Sequence, residues 1–353
     1  METTIFSGLV LLGPDLEVRP ADVVVEAGRI VAIEERRRSP ARWICPAFFN
    51  AHTHVGDTVA MDVPAPGDLD ALVRPPDGLK HRMLRAAPAD DCRAGMRATL
   101  ERMVRGGTTG CADFREGGVR GIELLRMAAR DLPIRVVGLG RDGGEMVADG
   151  AGIASARDLS GYDEVVARVR ARGGIIAFHA GEQDDGDVDP ALDCHPDFVV
   201  HMTHATDRQL RRCADEGIPI AVCPRSNWRL GVSQGPHHPP ITRMLDHGCR
   251  VLLGTDNAMF VSPDMASELM FTSFVYGTDA GLLLRAAIEG AAVIGLPSWI
   301  ETGAWANFLV IDPARGGVGS SHDPVASLVR RLDSSMIETK VFTLKDESMK
   351  TIF

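Results

Sequence analysis

Residues 45–54 read CPAFFNAHTH, and this run opens a series of apolar, strand-like segments that decides the fold. The stretches between these segments carry apolar residues at three- and four-residue steps, which indicates amphipathic helices. Eight such units predict an α/β fold, a (β/α)8 TIM-like barrel. The later strand candidates are TTGCADF (108–114), IRVVGLG (134–140), GAGIAS (150–155), IIAFHAG (175–181), FVVHMTH (198–204), PIAVCP (219–224) and RVLLGTD (250–256). The glycine-rich run at 150–155 gives the faintest signal.

Both ends of the chain have strand-like patterns of another kind. The first 35 residues contain alternating apolar runs separated by turn residues, which is typical of hairpins. After two helical stretches at 264–276 and 279–294, three further runs predict strands: ANFLVIDP (306–313), VASLVRRL (325–332) and MIETKVFTL (336–344). We therefore expect a small β-sandwich domain built from both chain termini, residues 1–45 plus 297–353. The barrel domain would cover residues 46–296.

The composition narrows the class of protein. The chain has 353 residues and a net charge of −10, which argues against nucleic-acid binding because that needs a basic surface. The N-terminal residues lack the pattern of a signal peptide, and no apolar stretch approaches the roughly 20 residues of a membrane span. The seven cysteines are scattered and form no C-x-x-C pair, so we expect reduced thiols in a cytoplasmic protein.

Two histidines end the first barrel strand. His52 and His54 stand at alternate positions, so both side chains point to the same side of the strand. They would converge at the mouth of the barrel, the face where barrel enzymes carry out their chemistry. Taken alone, a chance pair of surface histidines explains this motif equally well.

Other strands also end in residues of the metal-binding type. His179 ends IIAFHAG, His201 and His204 end FVVHMTH, and Asp256 ends RVLLGTD. Each follows an apolar run, where an unpaired polar group is costly to bury. We therefore expect one divalent ion, with Zn²⁺ preferred and Fe²⁺ or Mn²⁺ as alternatives. Such an ion lowers the pKa of a bound water toward about 7, which makes it a nucleophile at neutral pH.

Further residues are candidates for work on a substrate. Glu182 follows His179 by three positions and is a candidate general acid/base, the alternative being a solvated acid in a polar loop. His201 is expected to polarise the attacked centre or orient the nucleophile. His204 is placed on the substrate side, although a supporting structural role suits it better.

Four more polar side chains follow strands or lie in loops near the predicted mouth. Arg115 and Arg141 could reach an anionic group of the substrate, and ordinary ion pairing suits them equally well. Asn227, in PRSN, could hydrogen-bond the substrate or fix its own loop. His238, next to His237 in GPHHPP, is assigned to a mobile loop above the mouth.

The order of these motifs resembles that of the amidohydrolase superfamily. NAHTH, FHAGE, the H-x-x-H of VVHMTHA, CPRSN and GTDN are most similar to its branch of amino-heterocycle deaminases and chlorohydrolases. The resemblance implies that His52, His54, His179 and Asp256 bind the metal, and that Glu182 and His201 act on the substrate. It also implies that Asp256 takes a proton from the metal-bound water.

The resemblance fails in one segment, so three functions remain open. Residues 55–84 contain no aromatic residue, although members of that branch usually carry a Trp-Leu pair there. The leading hypothesis is hydrolytic deamination of a small-molecule heterocycle such as a nucleoside, nucleobase or pterin. The alternatives are a cyclic amidase or chlorohydrolase, and a catalytically silent metal-binding scaffold. We expect no nucleic-acid or membrane partner, and a barrel of this size is compatible with a homo-oligomer.

Overall fold

The computed structural model describes residues 3–38, 41–64, 67, 69–157, 161–296, 298–343 and 350–352. The strands are β1 (Thr3–Leu12), β2 (Glu17–Glu26), β3 (Arg29–Glu35), β4 (Trp43–Pro46), β5 (Phe48–His54), β6 (Thr108–Arg115), β7 (Arg135–Gly140), β8 (Gly150–Ile153), β9 (Ile175–Ala180), β10 (Phe198–His201), β11 (Ile220–Val222), β12 (Val251–Leu253), β13 (Asp256–Asn257), β14 (Phe308–Ile311), β15 (Ile337–Phe342) and β16 (Lys350–Ile352). They form one sheet of nine strands and one of seven.

The α-helices lie mostly between the strands of the larger sheet. They are α1 (Leu69–Val73), α2 (Leu79–Ala86), α3 (Ala89–Arg105), α4 (Gly118–Ala129), α5 (Tyr162–Ala171), α6 (Val188–Asp193), α7 (Asp207–Glu216), α8 (Pro224–Arg229), α9 (Ile241–Asp246), α10 (Met265–Tyr276), α11 (Ala280–Ile288) and α12 (Pro324–Arg331). Within the described ranges, no helix is both long enough and apolar enough to cross a membrane.

The nine-stranded sheet closes into the predicted barrel. Strands β5 to β12 lie side by side in chain order and pair in parallel. The short β13 follows β12 and pairs in parallel with β5, which sets Asp256 opposite Thr53. β12 and β13 therefore share the eighth position of a (β/α)8 barrel, and the predicted helices of this region are confirmed.

The faint fourth strand is real, and its glycines explain the weak signal. β8 pairs in parallel with both β7 and β9. A Cβ on Gly152 would come within 2.4 Å of the Phe114 ring, and one on Gly150 within 2.0 Å of the Ile175 carbonyl oxygen. Apolar side chains are therefore excluded at two of its four positions, which removes the pattern by which a strand is predicted.

The seven-stranded sheet combines both ends of the chain, as predicted. Its order is β16-β15-β14-β4-β1-β2-β3, and β4 joins the two halves by pairing in parallel with β1 and antiparallel with β14. Its inner side chains, among them Val23, Ile44 and Phe308, form a hydrophobic core of their own. The chain passes from this sheet to the barrel between Pro46 and Phe48.

One predicted strand is wrong. VASLVRRL forms helix α12, which begins at Pro324, a residue whose fixed φ suits the first turn of a helix. The side chain of Asp323 caps it by accepting a hydrogen bond from the Ala326 amide at 2.9 Å. The run Ser327–Val329 is buried, so a continuous apolar run was read as a strand where capping residues signalled a helix.

The segment between β5 and α3 covers part of the barrel mouth. It contains a 3-10 helix (Val55–Ala60) followed by α1 and α2. The described residues of this range, 55–64, 67 and 69–87, are called the covering segment below. Several of its side chains line the same cavity as His54 and Glu182.

Candidate metal centre

Four predicted site residues lie at the carboxyl ends of barrel strands. His52 and His54 occupy alternate positions of β5, His179 lies in β9 and Asp256 opens β13. All four are buried, none being more than 7% exposed. Because the carboxyl ends of barrel strands open on one face, the four side chains reach the same space.

Their donor atoms converge on one point. Asp256 Oδ1 lies 3.1 Å from His52 Nε2 and 3.6 Å from His54 Nε2. His54 Nε2 lies 3.4 Å from His179 Nε2. The ring of His201 is adjacent, with its centroid 5.4 Å from that of His179. The structure thus brings together all the residues that the sequence analysis assigned to the metal.

The Nδ1 atoms of two imidazoles, on the side away from this point, each lie against an oxygen and a cation, the cations being Lys80 at 3.0 Å from His54 and Arg141 at 3.2 Å from His179. His54 Nδ1 lies 3.0 Å from Glu116 Oε1, and His179 Nδ1 lies 3.0 Å from the Ile153 carbonyl oxygen. When each Nδ1 donates to its oxygen, the two Nε2 lone pairs face each other with no proton between them. Such lone pairs beside a carboxylate repel one another unless a cation lies among them. This donor set therefore fits a divalent metal ion.

Burial keeps these imidazoles neutral. It lowers the pKa of His52 to about 4, and it is the main cause that lowers the pKa values of His54 and His179 well below their ordinary value. Although burial opposes it, the hydrogen bond with His52 holds the pKa of Asp256 well below its usual range. At neutral pH the cluster therefore presents the neutral imidazoles and the carboxylate that bind divalent metals.

The backbone is unusual at two residues of the centre. His201 and Asp256 adopt positive φ angles of 73° and 60°, which are uncommon outside glycine. Both residues stand at the mouth, where β10 ends and β13 begins. The carboxylate of Asp256 is then fixed by Ser226, whose hydroxyl donates to Oδ2 at 2.6 Å. Oδ1 is left to face the histidines.

Glu182 and His201 lie next to each other at the cavity. Glu182 Oε1 is 3.7 Å from His201 Nε2. Burial raises the pKa of Glu182, with the charge of His201 opposing and that of Asp256 adding to the effect. A raised pKa favours the protonated form, so this carboxyl is suited to giving a proton and taking it back.

Asn227 supports His201. It is fully buried, and its Oδ1 lies 3.0 Å from His201 Nδ1. Its amide nitrogen donates to the hydroxyl of Thr203 at 2.9 Å, which fixes the orientation of the amide. These contacts fix Asn227 against His201, and a hydrogen bond from Asn227 to a substrate stays a prediction.

The two candidate arginines differ in position. Arg115 is 1% exposed and lies against Gly56, where an added Cβ would be 2.3 Å from its guanidinium. It pairs with Glu116 at 2.5 Å. Arg141 reaches the cavity, and its Nε donates to the Gly152 carbonyl at 2.6 Å. Of these two arginines, Arg141 is the one that lines the cavity.

His204 and His238 belong to an outer recess. Their ring centroids are 5.3 Å apart, and both line a depression together with His237. This recess shares Glu182 and Gln183 with the main cavity, so the two are continuous.

The main cavity is lined from two sides. The barrel contributes the histidines and carboxylates described above. The covering segment contributes Leu69, Asp70, Val73, Arg74, Pro75 and Lys80.

Sequence reasoning missed a buried charged group behind His54. Lys80 Nζ lies 2.8 Å from Glu116 Oε1 and 3.0 Å from Asp57 Oδ2. Glu116 directly follows β6, so the same rule that selected His179 and Asp256 also points to it. Lys80 gave no such signal, because it stands in a surface helix among other basic residues.

Comparison with known proteins agrees with this architecture. The amidohydrolase family model matches residues 43–347. A putative aminohydrolase of Methanothermobacter thermautotrophicus is 34% identical, with 94% of this chain and 95% of the relative aligned. A 5-methylthioadenosine/S-adenosylhomocysteine deaminase of Halobacterium salinarum is 28% identical over 93% of this chain and 88% of its own length.

The fold is also similar to that of a solved enzyme. The crystal structure of an adenosine deaminase from Xanthomonas campestris with bound zinc has a TM-score of 0.74 at 17% identity, covering 96% of this chain and 91% of the other. The family model spans most of the chain, including the strand ends that carry the histidines. This chain belongs to the amidohydrolase family.

Proposed function

We propose that this chain is a metal-dependent hydrolase that deaminates an amino-substituted heterocycle and releases ammonia. The observation that carries the proposal is that Glu182 and His201 face the same cavity as the convergent donors of His54, His179 and Asp256. A metal-binding scaffold has no need of a proton-transferring carboxyl at that position. The names of the aligned relatives, an aminohydrolase and a deaminase, support the same reaction.

His52, His54, His179 and Asp256 would hold one divalent ion. Three neutral imidazoles and one carboxylate suit Zn²⁺ best, with Fe²⁺ or Mn²⁺ as alternatives. The zinc in the Xanthomonas adenosine deaminase, which shares this fold, supports that preference. The ion, when bound, supplies a Lewis acid that makes water nucleophilic at neutral pH.

The chain's own residues would move the protons. Glu182 donates to the ring nitrogen next to the carbon under attack, so that less negative charge accumulates there. Asp256, with its Oδ2 held by the Ser226 hydroxyl, would accept a proton from the attacking water and pass it to the amino group, which leaves as ammonia. Glu182 would take up the remaining hydroxyl proton as the carbonyl forms. His201, held by Asn227 through Nδ1, presents Nε2 to the reacting centre.

We infer an aminopurine, free or as a nucleoside, as the substrate class to test first. The deaminase of Halobacterium salinarum is named for adenosine derivatives. In this chain the covering segment faces the cavity with the aliphatic side chains of Leu69 and Val73. The recess at His204 and His238 is continuous with the cavity and gives room for a substituent on the ring.

The test is ammonia release from purified, zinc-loaded protein. The panel contains adenine, adenosine, 5′-methylthioadenosine, S-adenosylhomocysteine, guanine and a pterin, with a chlorotriazine and a cyclic amide as probes of the alternatives. We expect one ammonia per molecule of deaminated product for at least one amino-heterocycle. The same protein after chelation is the control and should release none.

Other outcomes would contradict the proposal in separate ways. Chloride release or ring opening without ammonia would replace deamination by the alternative hydrolytic reactions. Zinc-loaded, folded protein that turns over no compound of the panel would favour the scaffold.

A further inference from the structure

Helix α2 is a surface helix that buries a lysine. Lys80 is 3% exposed, whereas the side chains around it on the helix are partly or fully exposed. An amphipathic helix normally turns apolar residues inward. Because burying an ammonium group is costly unless it is paired, its partners explain why it is there.

Three side chains surround the Lys80 ammonium. Nζ lies 2.8 Å from Glu116 Oε1, 3.0 Å from Asp57 Oδ2 and 3.0 Å from His54 Nδ1. These are atoms of the kind that bind metals, and one such atom from each of the three residues lies within 4.8 Å of the others. Asp57 is fully buried, and within the described residues its carboxylate is paired with the Lys80 ammonium and meets the geometric criteria for no other hydrogen bond.

We propose that Lys80 is a built-in cation that fills a second metal position formed by His54, Asp57 and Glu116. His54 stands between the two positions, since its Nε2 faces the proposed metal centre and its Nδ1 faces Lys80. A second ion at Nδ1 would displace the Nδ1 proton to solvent, so that His54 would bridge the two ions as an imidazolate. The lysine thereby restricts the barrel to one divalent ion. This inference rests on the proposed metal centre for the first ion and adds a reason why there is no second.

The chemistry of the three ligands supports an exchange of ammonium for a metal. Imidazole nitrogen and carboxylate oxygen bind Zn²⁺ at roughly 2.0–2.2 Å, shorter than the contacts to Nζ, so the ligands would need to move inward only slightly. Both cations neutralise the carboxylates of Asp57 and Glu116. Guanidinium nitrogens of Arg115 and Arg141 also lie 2.5 and 3.4 Å from the Glu116 carboxylate. Their positive charge should make the second ion bind more weakly than the first.

The test is the zinc content of Lys80→Ala. The wild-type chain and the variant are brought to equilibrium by dialysis against micromolar Zn²⁺, and zinc per chain is measured by mass spectrometry. We expect one ion in the wild type and two in Lys80→Ala, because the shortened side chain leaves the second position open. Lys80→Met is the matched control: it removes the charge but keeps the volume, and should stay at one.

A double variant identifies the ligands. Lys80→Ala with Glu116→Gln should return to one ion, since an amide is a poor zinc ligand. If Lys80→Ala does not yield folded protein, Lys80→Ser replaces it, because a hydroxyl can hydrogen-bond the exposed carboxylates and leaves comparable space.

The outcomes separate this inference from the proposed function. One ion in the wild type and one in folded Lys80→Ala or Lys80→Ser would overturn the inference and leave the metal centre intact. No ion in the wild type would instead refute the metal centre itself. Two ions in the wild type would also overturn the inference, because Lys80 would then not exclude the second.

Discussion

The strand ends of the barrel and the covering segment line one cavity but follow different rules. At the strand ends, sheet geometry determines which side chains meet, as in the alternation of His52 and His54. In the covering segment, the short helix α2 turns Lys80 inward against the pattern of its neighbours. Functional side chains at strand ends can thus be predicted from the alternation along each strand. Those of the covering segment cannot, because their positions depend on tertiary packing.

The largest effect is expected at a strand end. His179→Ala removes one of the convergent nitrogens, and we expect loss of the bound ion and a fall of deaminase activity to the level of the chelated protein. Zinc content and ammonia release are measured on the same preparation.

His204→Ala is the matched control for this change. His204 follows the next strand but lies in the outer recess, so the variant should keep its zinc. If His179→Ala retained one tightly bound zinc, the assignment of His179 as a metal ligand would be wrong.

The next effect is on proton transfer. Glu182→Gln keeps the shape of the side chain but cannot exchange a proton, and we expect a loss in kcat of about 10²- to 10⁴-fold with unchanged zinc content. The kcat is measured at saturating substrate, and the zinc content is measured on the same preparation.

The matched control is Asp185→Asn, an exposed acid in the same loop, which should change kcat little. If both variants lost activity equally, the effect would come from the charge of the loop and Glu182 would have no special role.

The sequence predicts most of the barrel because its signals are local and periodic. His52, His54, His179 and Asp256 each end an apolar run, and burial of those runs forces the polar ends to the mouth. The terminal sheet also follows from alternation. At α12 a short buried run resembles a strand, whereas its capping residue Asp323 marks the start of a helix.

The remaining features needed tertiary information. Arg115 is packed against Gly56, a contact between residues far apart in sequence, and nothing in DFREGG distinguishes it from Arg141. The sequence does not show that Asn227 contacts His201, because the two residues belong to separate elements. The pattern of α2 carries no mark of the buried Lys80, since the partners Asp57 and Glu116 belong to other elements.

The smallest effect is on stability and concerns the covering segment. Lys80→Met leaves two buried carboxylates without their shared cation, which should lower the free energy of unfolding by about 3 kcal/mol. This is the low end of the range expected when one partner of a buried ion pair is removed, because Arg115 still neutralises Glu116. Arg82→Met, on the exposed side of the same helix, should change it by less than about 0.5 kcal/mol. Both are measured by urea unfolding of zinc-loaded protein.

This loss should depend on pH, with a sign set by Asp57. Burial raises the pKa of Asp57 to about 7, above roughly 3.9 in the unfolded chain, so folding takes up a proton between these values and stability falls as pH rises through that window. Lys80 opposes the effect of burial, so its removal raises the pKa of Asp57 further and extends the window upward. The deficit of Lys80→Met should therefore grow from about pH 6 to about pH 8, while that of Arg82→Met stays flat. A deficit that shrank over this range would show that the pKa of Asp57 does not depend on Lys80.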